Sequence, residues 1–267
     1  MEAKDIAKLS QVFDNTTATY KFYWMLAILE VASEGRARKT IPFSELVARM
    51  LAKAWQPLTM GRFSFGKCDS LLKRINTVIM CSPLNIKSME ERVRCYLLNN
   101  QETELFQNVV QQLTKYVPYR FLFPWVGNCS DYDTIKLSQD LSTRCLYSIL
   151  GKSILINPMW RSYIINHKYI LEGFTYKHLY DFLARRNPDF VLPTEESLQR
   201  TADGIIHRNA LYRMLTNQTQ KAWAAEGYPQ KVSVSIDNAQ FMAEANIEVK
   251  DGGKLFEAGS SNIQIKK

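Results

Sequence analysis

The chain has 267 residues, 46% of them apolar, with 34 Lys and Arg against 26 Asp and Glu and a formal net charge of +8. Its 13 Phe, 13 Tyr and 5 Trp can fill a sizeable core, and the composition is ordinary for a folded globular protein. No apolar run reaches the roughly 18 residues of a membrane span, and the charged first residues do not read as a signal peptide, so no membrane partner and a cytoplasmic location are expected.

Five cysteines, Cys68, Cys81, Cys95, Cys129 and Cys145, are scattered singly. The odd count and wide spacing argue against a disulfide framework, no C-x-x-C is present for zinc, and buried free thiols are expected. The basic excess lies in residues 1–230, with 29 Lys and Arg against 21 Asp and Glu; from Lys231 onward five Lys balance five acids. Such a balance suits a polyanionic partner, and equally a mildly basic solvated surface.

In chain order, Tyr20, Tyr23, Trp24, Ala27 and Val31 fall on one helical stripe, and Phe22, Leu26 and Leu29 on a second. A helix apolar on most sides lies inside a domain. Asp14 or Asn15 is its expected cap and Gly35 its terminator. A second helix follows Pro42, capped by Ser44, with Leu46, Val47, Met50, Leu51, Ala54 and Trp55 inward. Glu45, Arg49, Lys53 and Gln56 are expected to face outward, and Pro57 to stop the helix. The short connection makes the two helices antiparallel neighbours.

Asp69 or Ser70 caps a further helix, with Leu71, Leu72, Ile75, Val78 and Ile79 inward and Lys73 and Arg74 opposite. Ser88-Met89-Glu90-Glu91 reads as a capping box opening a helix to Leu98. Another helix starts at Thr103, buries Leu105, Phe106, Val109, Val110 and Leu113, and ends at Pro118. Pro118 to Trp125 reads as an extended aromatic segment, either a linker across the helices or a platform on which Tyr119 or Trp125 stacks a base. Residues 128–136 read as a polar loop, and 138–150 as a helix closed by Gly151. Gly151-Lys152-Ser153 is not a phosphate loop, because the upstream glycine that motif needs falls at Leu146.

Asn157-Pro158 starts a helix to Leu171. Thr175 begins the next, burying Leu179, Phe182 and Leu183, and Asn187-Pro188 stops it. Arg185 and Arg186 in its last turn suit the helix dipole and are also well placed for phosphates. A last helical section runs from Pro193 to about Ala225, with a possible break at Gly204 and a basic side of Arg200, Arg208 and Arg213. The texture changes at Gly227-Tyr228-Pro229. Residues 232–236 alternate as a strand, 245–256 form a hairpin about Asp251-Gly252-Gly253-Lys254, and 262–265 form a further strand. The expected fold is therefore mainly α: a multi-helix bundle over residues 1–226 and a small C-terminal β appendage over residues 227–267.

The stretches Tyr20-Lys21-Phe22-Tyr23-Trp24-Met25-Leu26-Ala27-Ile28-Leu29 and Leu46-Val47-Ala48-Arg49-Met50-Leu51-Ala52-Lys53-Ala54-Trp55 resemble a bacterial group of HNH endonuclease domain proteins. Val117-Pro118-Tyr119-Arg120-Phe121-Leu122 and Arg185-Arg186-Asn187-Pro188 are similar to it as well, so the resemblance spans about residues 13–223. It implies a helical body and a nucleic-acid context; in that family the nuclease centre follows this region. An HNH centre needs a His as general base, an Asn to orient it, and His or Asp ligands for a divalent metal, set on a hairpin followed by a helix. The three histidines, His167, His178 and His207, all lie in expected helices. The C-terminal strands carry Asp237, Asn238, Glu244, Asn246, Glu248 and Asp251 and no His. The carboxylate pairs Glu90-Glu91 and Glu195-Glu196 occupy first turns, where negative charge favours the helix. No catalytic residue, metal ligand or cofactor is assigned.

The leading expectation is a nucleic-acid-binding protein, its partner DNA or RNA. It would be a helical relative of HNH endonucleases without the cutting element, serving as a subunit or regulator in restriction or phage defence. Arg36, Arg38, Lys39, Lys73, Arg74, Arg185 and Arg186 are the expected phosphate contacts; Arg36-Ala37-Arg38-Lys39 reads equally as a solubilising loop. One alternative is a metal-dependent endonuclease with an atypical carboxylate centre at Asp237 and Glu248. Another is a scaffold that docks a protein through its C-terminal strands, since strand edges accept another chain.

Overall fold

The computed structural model describes residues 2–187, apart from 15, 35–39 and 60–63, and beyond them four strand segments within residues 232–266. These form two compact units, residues 1–171 and 172–267. The chain runs α1 (Ala3–Ser10), α2 (Tyr20–Ser33), β1 (Ile41–Pro42), α3 (Phe43–Thr59), α4 (Leu71–Met80), α5 (Glu90–Asn99), α6 (Glu104–Leu113), α7 (Val117–Arg120), α8 (Phe123–Val126) and α9 (Asp131–Gln139). Then follow β2 (Tyr147–Leu150), β3 (Ser153–Ile156), α10 (Pro158–Asn166) and α11 (Lys168–Ala184), within which the boundary between the units falls. In the second unit β4 (Val232–Ile236), β5 (Ala245–Asp251), β6 (Lys254–Ala258) and β7 (Ile263–Lys266) form an antiparallel meander. The fold is mainly helical, and among the described residues no helix is long and apolar enough to cross a membrane.

Helix α2 is apolar on every side over residues 22–29, so that stretch has no face suited to water. Accordingly Phe22 through Leu29, Val31 and Ala32 are all buried. Its start differs from the expectation. Thr19 is the N-cap, and its backbone N–H donates not to Asp14 but to Asp69, at 2.7 Å. The Thr19 hydroxyl donates to the same oxygen at 2.6 Å, while the other oxygen accepts the Leu71 N–H at the start of α4, at 2.9 Å. One carboxylate thus serves two helix starts, where negative charge suits both dipoles.

Helix α3 does not stop at Pro57 but continues to Thr59. In a last turn the proline forfeits a single bond, its own missing N–H to the carbonyl four residues back, and the Thr59 hydroxyl adds a bond to the Trp55 carbonyl at 2.8 Å. The face of α3 expected to meet solvent is covered as well. Glu45 and Arg49 are only 3% and 2% exposed, packed under α2 and α5. The Arg49 guanidinium donates to Glu30, to Glu34 at 2.7 and 3.0 Å, and to Glu45 at 3.1 Å. Arg94 of α5 reaches Glu30 and Glu91, and Lys53 bridges Glu30 at 2.7 Å and Glu90 at 2.9 Å. A guanidinium can be buried here because carboxylates meet its fork of donors. Burial works to raise the Glu30 carboxyl, but Lys53, Arg49 and Arg94 outweigh it and hold the group below its ordinary value.

The expected capping box at α5 does not form. Met89 is the N-cap, the Ser88 hydroxyl turns back to accept the Asn85 N–H at 2.9 Å, and Glu91 is drawn off to Arg94. On α4, Leu72 is exposed rather than buried. Nor are the thiols uniformly buried: Cys68, Cys81 and Cys95 are exposed, Cys129 is intermediate, and Cys145 alone of the five is buried. All five are free, as the odd, scattered pattern implies. Cys68 lies in the turn before α4, Cys81 at the end of α4 and Cys95 on the outer face of α5.

Three expected elements between α6 and α10 are replaced. The aromatic segment 118–125 is not extended; it forms α7 and α8, each with a proline in its first turn, where an N–H is not needed. The expected polar loop forms α9, which Ser130 caps by accepting the Asp133 N–H at 3.1 Å. The expected helix over 138–150 gives a short turn and then the β2–β3 hairpin. Gly151, at φ +59°, and Lys152 make the two-residue connection between the paired Leu150 and Ser153. Strand β1 adds to β3 through Ile41 opposite Ile154, giving a three-stranded sheet of order β1-β3-β2 that lies outside the expected fold.

This sheet reaches the centre of the unit through Tyr147, which is fully buried. Its hydroxyl accepts the Trp24 indole N–H at 3.1 Å and donates to the Pro118 carbonyl at 2.7 Å, joining β2, α2 and α7. Arg144, in the left-handed region at φ +55°, ties α1 in place through Glu2 at 2.6 Å and the buried Asp5 at 2.8 Å. Helix α10 starts as expected, Asn157 accepting the Met159 N–H at 3.0 Å with Pro158 next in line. It ends at Asn166, and α11 begins at Lys168, so Thr175 is a buried mid-helix residue rather than a helix start. Leu179, Phe182 and Leu183 are buried as expected. The β4–β7 strands fall where alternation and the Gly-Gly turn indicate, and the expected helix over 193–225 lies outside the described residues.

Candidate nucleic-acid interface

The expected phosphate contacts separate into three groups. Arg36, Arg38 and Lys39 lie outside the described residues. Arg185 and Arg186 belong to the second unit: Arg185 is exposed, while Arg186 lies over the ring of its own neighbour Phe182 at 3.6 Å and donates to the Phe182 carbonyl. Lys73 and Arg74 are on α4, Lys73 exposed and Arg74 half-buried.

Arg74 lies within electrostatic reach of Tyr20, in the first turn of α2. The Tyr20 hydroxyl accepts the Ser70 N–H at 2.6 Å and donates to the Ser70 hydroxyl at 2.9 Å, which fixes α4 against the start of α2. Burial pushes the Tyr20 phenol up. The next residue, Lys21, donates to the Val12 carbonyl at 2.9 Å. Burial pulls its amine down; Asp14 opposes that shift and Arg120 adds to it. Arg120, at the end of α7, is therefore a near cationic neighbour of Lys21. It is exposed, with its guanidinium 4.2 Å from the centre of the Tyr116 ring. The Lys115 ammonium stands 5.0 Å from the same ring.

Arg74 near Tyr20 and Arg120 near Lys21 thus set cations about the N-terminal end of α2, the positive end of its dipole, with Lys115 beside Arg120 at the Tyr116 ring and Lys73 next to Arg74 on α4. The acids that act on residues of this region are Asp69, engaged in capping two helices, Asp14 beside Lys21, and Asp131 beside Tyr119. By contrast, the basic residues of α3 and α5 that face Glu30, Glu34, Glu45, Glu90 and Glu91 are engaged in the buried network.

The two aromatic residues proposed as a base platform behave differently. Trp125 is buried, its ring edge-on to Trp160 at 5.8 Å, and is not a surface platform. Tyr119 is half-buried, and burial, with Asp131 beside it, raises its phenol. Tyr116, which the sequence reading passes over, is the exposed one at 43%. Its signal was its spacing of four from Arg120, which brings the two side chains together only if the segment is helical.

Two imidazoles fall in the described residues. His167 stands at the break between α10 and α11, its ring 4.4 Å from Tyr163, and the His178 ring packs on Phe174 at 4.6 Å. His207 and the carboxylates Asp237 and Glu244 lie outside the described residues, and Glu248 stands opposite Ser233 in the β4–β5 pairing. Among the described residues no group of three or more His, Cys, Asp and Glu side chains could hold a metal ion. Compared with protein-family models, curated proteins and solved structures, the chain matches none.

Proposed function

We propose that this protein binds nucleic acid through its phosphate backbone at the N-terminal end of α2. On the sequence resemblance, we place it beside the helical part of HNH endonucleases, as a subunit or regulator in restriction or phage defence. The observation that carries the reading is the set of cations about the start of α2, Arg74 near Tyr20 and Arg120 near Lys21, with Lys115 beside Arg120 and Lys73 next to Arg74, in a chain with a net charge of +8. Phosphates contacted by such side chains release condensed counterions, so affinity falls steeply with salt. The test is a polarisation titration of labelled DNA and RNA from about 50 mM salt upward. Each of Lys73→Gln, Lys115→Gln and Arg120→Gln should weaken binding evenly across sequences and reduce the salt slope by about 1. Absence of binding at low salt overturns the reading.

A second reading has its own observation. The order β4-β5-β6-β7 sets β4 and β7 at the two ends of the C-terminal sheet, where a partner protein's strand could pair. A complex that survives high salt and is lost when residues 227–267 are removed would favour it.

A further inference from the structure

Tyr116 is one of the exposed aromatic residues of the first unit. Its neighbours Leu113 and Val117 are buried, yet Tyr116 itself is 43% exposed. Its backbone is firmly set, because the Tyr116 carbonyl accepts the N–H groups of Tyr119 at 3.2 Å and Arg120 at 2.9 Å at the start of α7. Arg120, four residues on, folds back with its guanidinium 4.2 Å from the ring centre, and Lys115 stands 5.0 Å from it. The guanidinium lies over the ring, so aromatic and cation form one stack at the surface, with Lys21 within electrostatic reach of Arg120.

We infer that Tyr116 and Arg120 form a stacking platform for an unpaired base, so that the preferred ligand is single-stranded nucleic acid. This rests on the nucleic-acid reading above and sharpens it. Bases stack on aromatic rings and on guanidinium planes alike, and cations beside them hold the flanking phosphates. Inside a duplex the faces of the bases are already covered by their neighbours, so a duplex can offer this site its phosphates but not its bases. Tyr132 shows why exposure alone does not suffice. It is 76% exposed, but it stands between Asp131 and Asp133, whose charges repel a phosphate backbone.

The test uses the full chain with a fluorescein-labelled single-stranded DNA, the same sequence as RNA, and the corresponding duplex, all at one low salt concentration. The wild type should bind a single strand about tenfold or more tighter than the duplex. Tyr116→Ala should weaken single-strand binding by about ten- to a hundredfold and leave duplex binding within about twofold, while Tyr116→Phe, which keeps the ring, retains the preference. The DNA and RNA arms assign which single strand is favoured. Equal binding of single strand and duplex, or a Tyr116→Ala variant with unchanged single-strand affinity, overturns the inference and leaves backbone binding standing. If no nucleic acid binds the wild type, the underlying reading falls and the inference with it. Because Tyr116 is exposed, an unchanged circular dichroism spectrum is expected for each variant and separates lost binding from lost fold.

Discussion

A single oxygen of Asp69 accepts both the backbone N–H of Thr19, at 2.7 Å, and its hydroxyl, at 2.6 Å. The other oxygen takes the Leu71 N–H, so removing this carboxylate uncaps two helices at once. Asp69→Ala should lower the unfolding free energy by about 1–2 kcal/mol or slightly more, since a single lost cap costs that much. Urea unfolding followed by far-UV circular dichroism measures it. An unchanged midpoint would show that water replaces the carboxylate without loss.

Arg49 tests the buried network. Deleting one partner of a buried ion pair leaves uncompensated charge, and Arg49 faces Glu30, Glu34 and Glu45 from a 2% exposed position. Arg49→Ala should cost about 3–5 kcal/mol. Arg49→Lys keeps the charge but not the planar fork, and should fall between the two. Equal stability of Arg49→Ala and the wild type would show that the network contributes nothing net.

The same network sets an acid dependence. The Glu30 carboxyl is held below its ordinary value of 4.5 in the folded chain, so the folded state binds its proton less readily than the unfolded one. Its stabilisation is complete above about pH 4.5 and is lost as the pH falls through the lower, folded value. In Glu30→Gln, stability should be reduced at pH 7, and the difference from the wild type should shrink as the pH falls below 4.5. A difference that stays constant down to pH 3 would contradict the assignment.

Tyr147 tests how the sheet is joined to the helices. In Tyr147→Phe the Trp24 indole N–H and the Pro118 carbonyl both lose their buried partner. The expected loss is about 1–3 kcal/mol with the fold retained. Thermal unfolding and tryptophan fluorescence should both report it, because Trp24 is one of the two groups released.

Local information fixed whatever the chain decides locally. The all-round apolar α2, the Asn157-Pro158 start of α10 and the alternating strands of the second unit were legible because each has its own period or punctuation. The stretch 128–150 was misread because its signals are short: a one-residue cap at Ser130, and the two-residue connection Gly151-Lys152 flanked by apolar runs that resemble a helix as readily as a hairpin. The polar stripe of α3 was legible as a stripe, but a helical period says which residues share a face and not that α5 will cover it. Of the candidate interface, Lys73 and Arg74 could be picked from the sequence. Lys21, Arg120, Lys115 and Tyr116 could not be joined to them, because they are brought near by the packing of α7 on α2 and by the Tyr20–Ser70 bonds at the start of α4.

The pairing of Ile41 with Ile154 has a consequence for how the chain is made. The core around α2 is synthesised first, but strand β1 has no partner, and the Trp24 indole no acceptor, until the hairpin has left the ribosome. A nascent chain shorter than about residue 156 must therefore carry the most apolar helix of its unit without its closing piece, a state prone to sticking to other chains. Fragments cut before Ile156 should accumulate as aggregates or on chaperones.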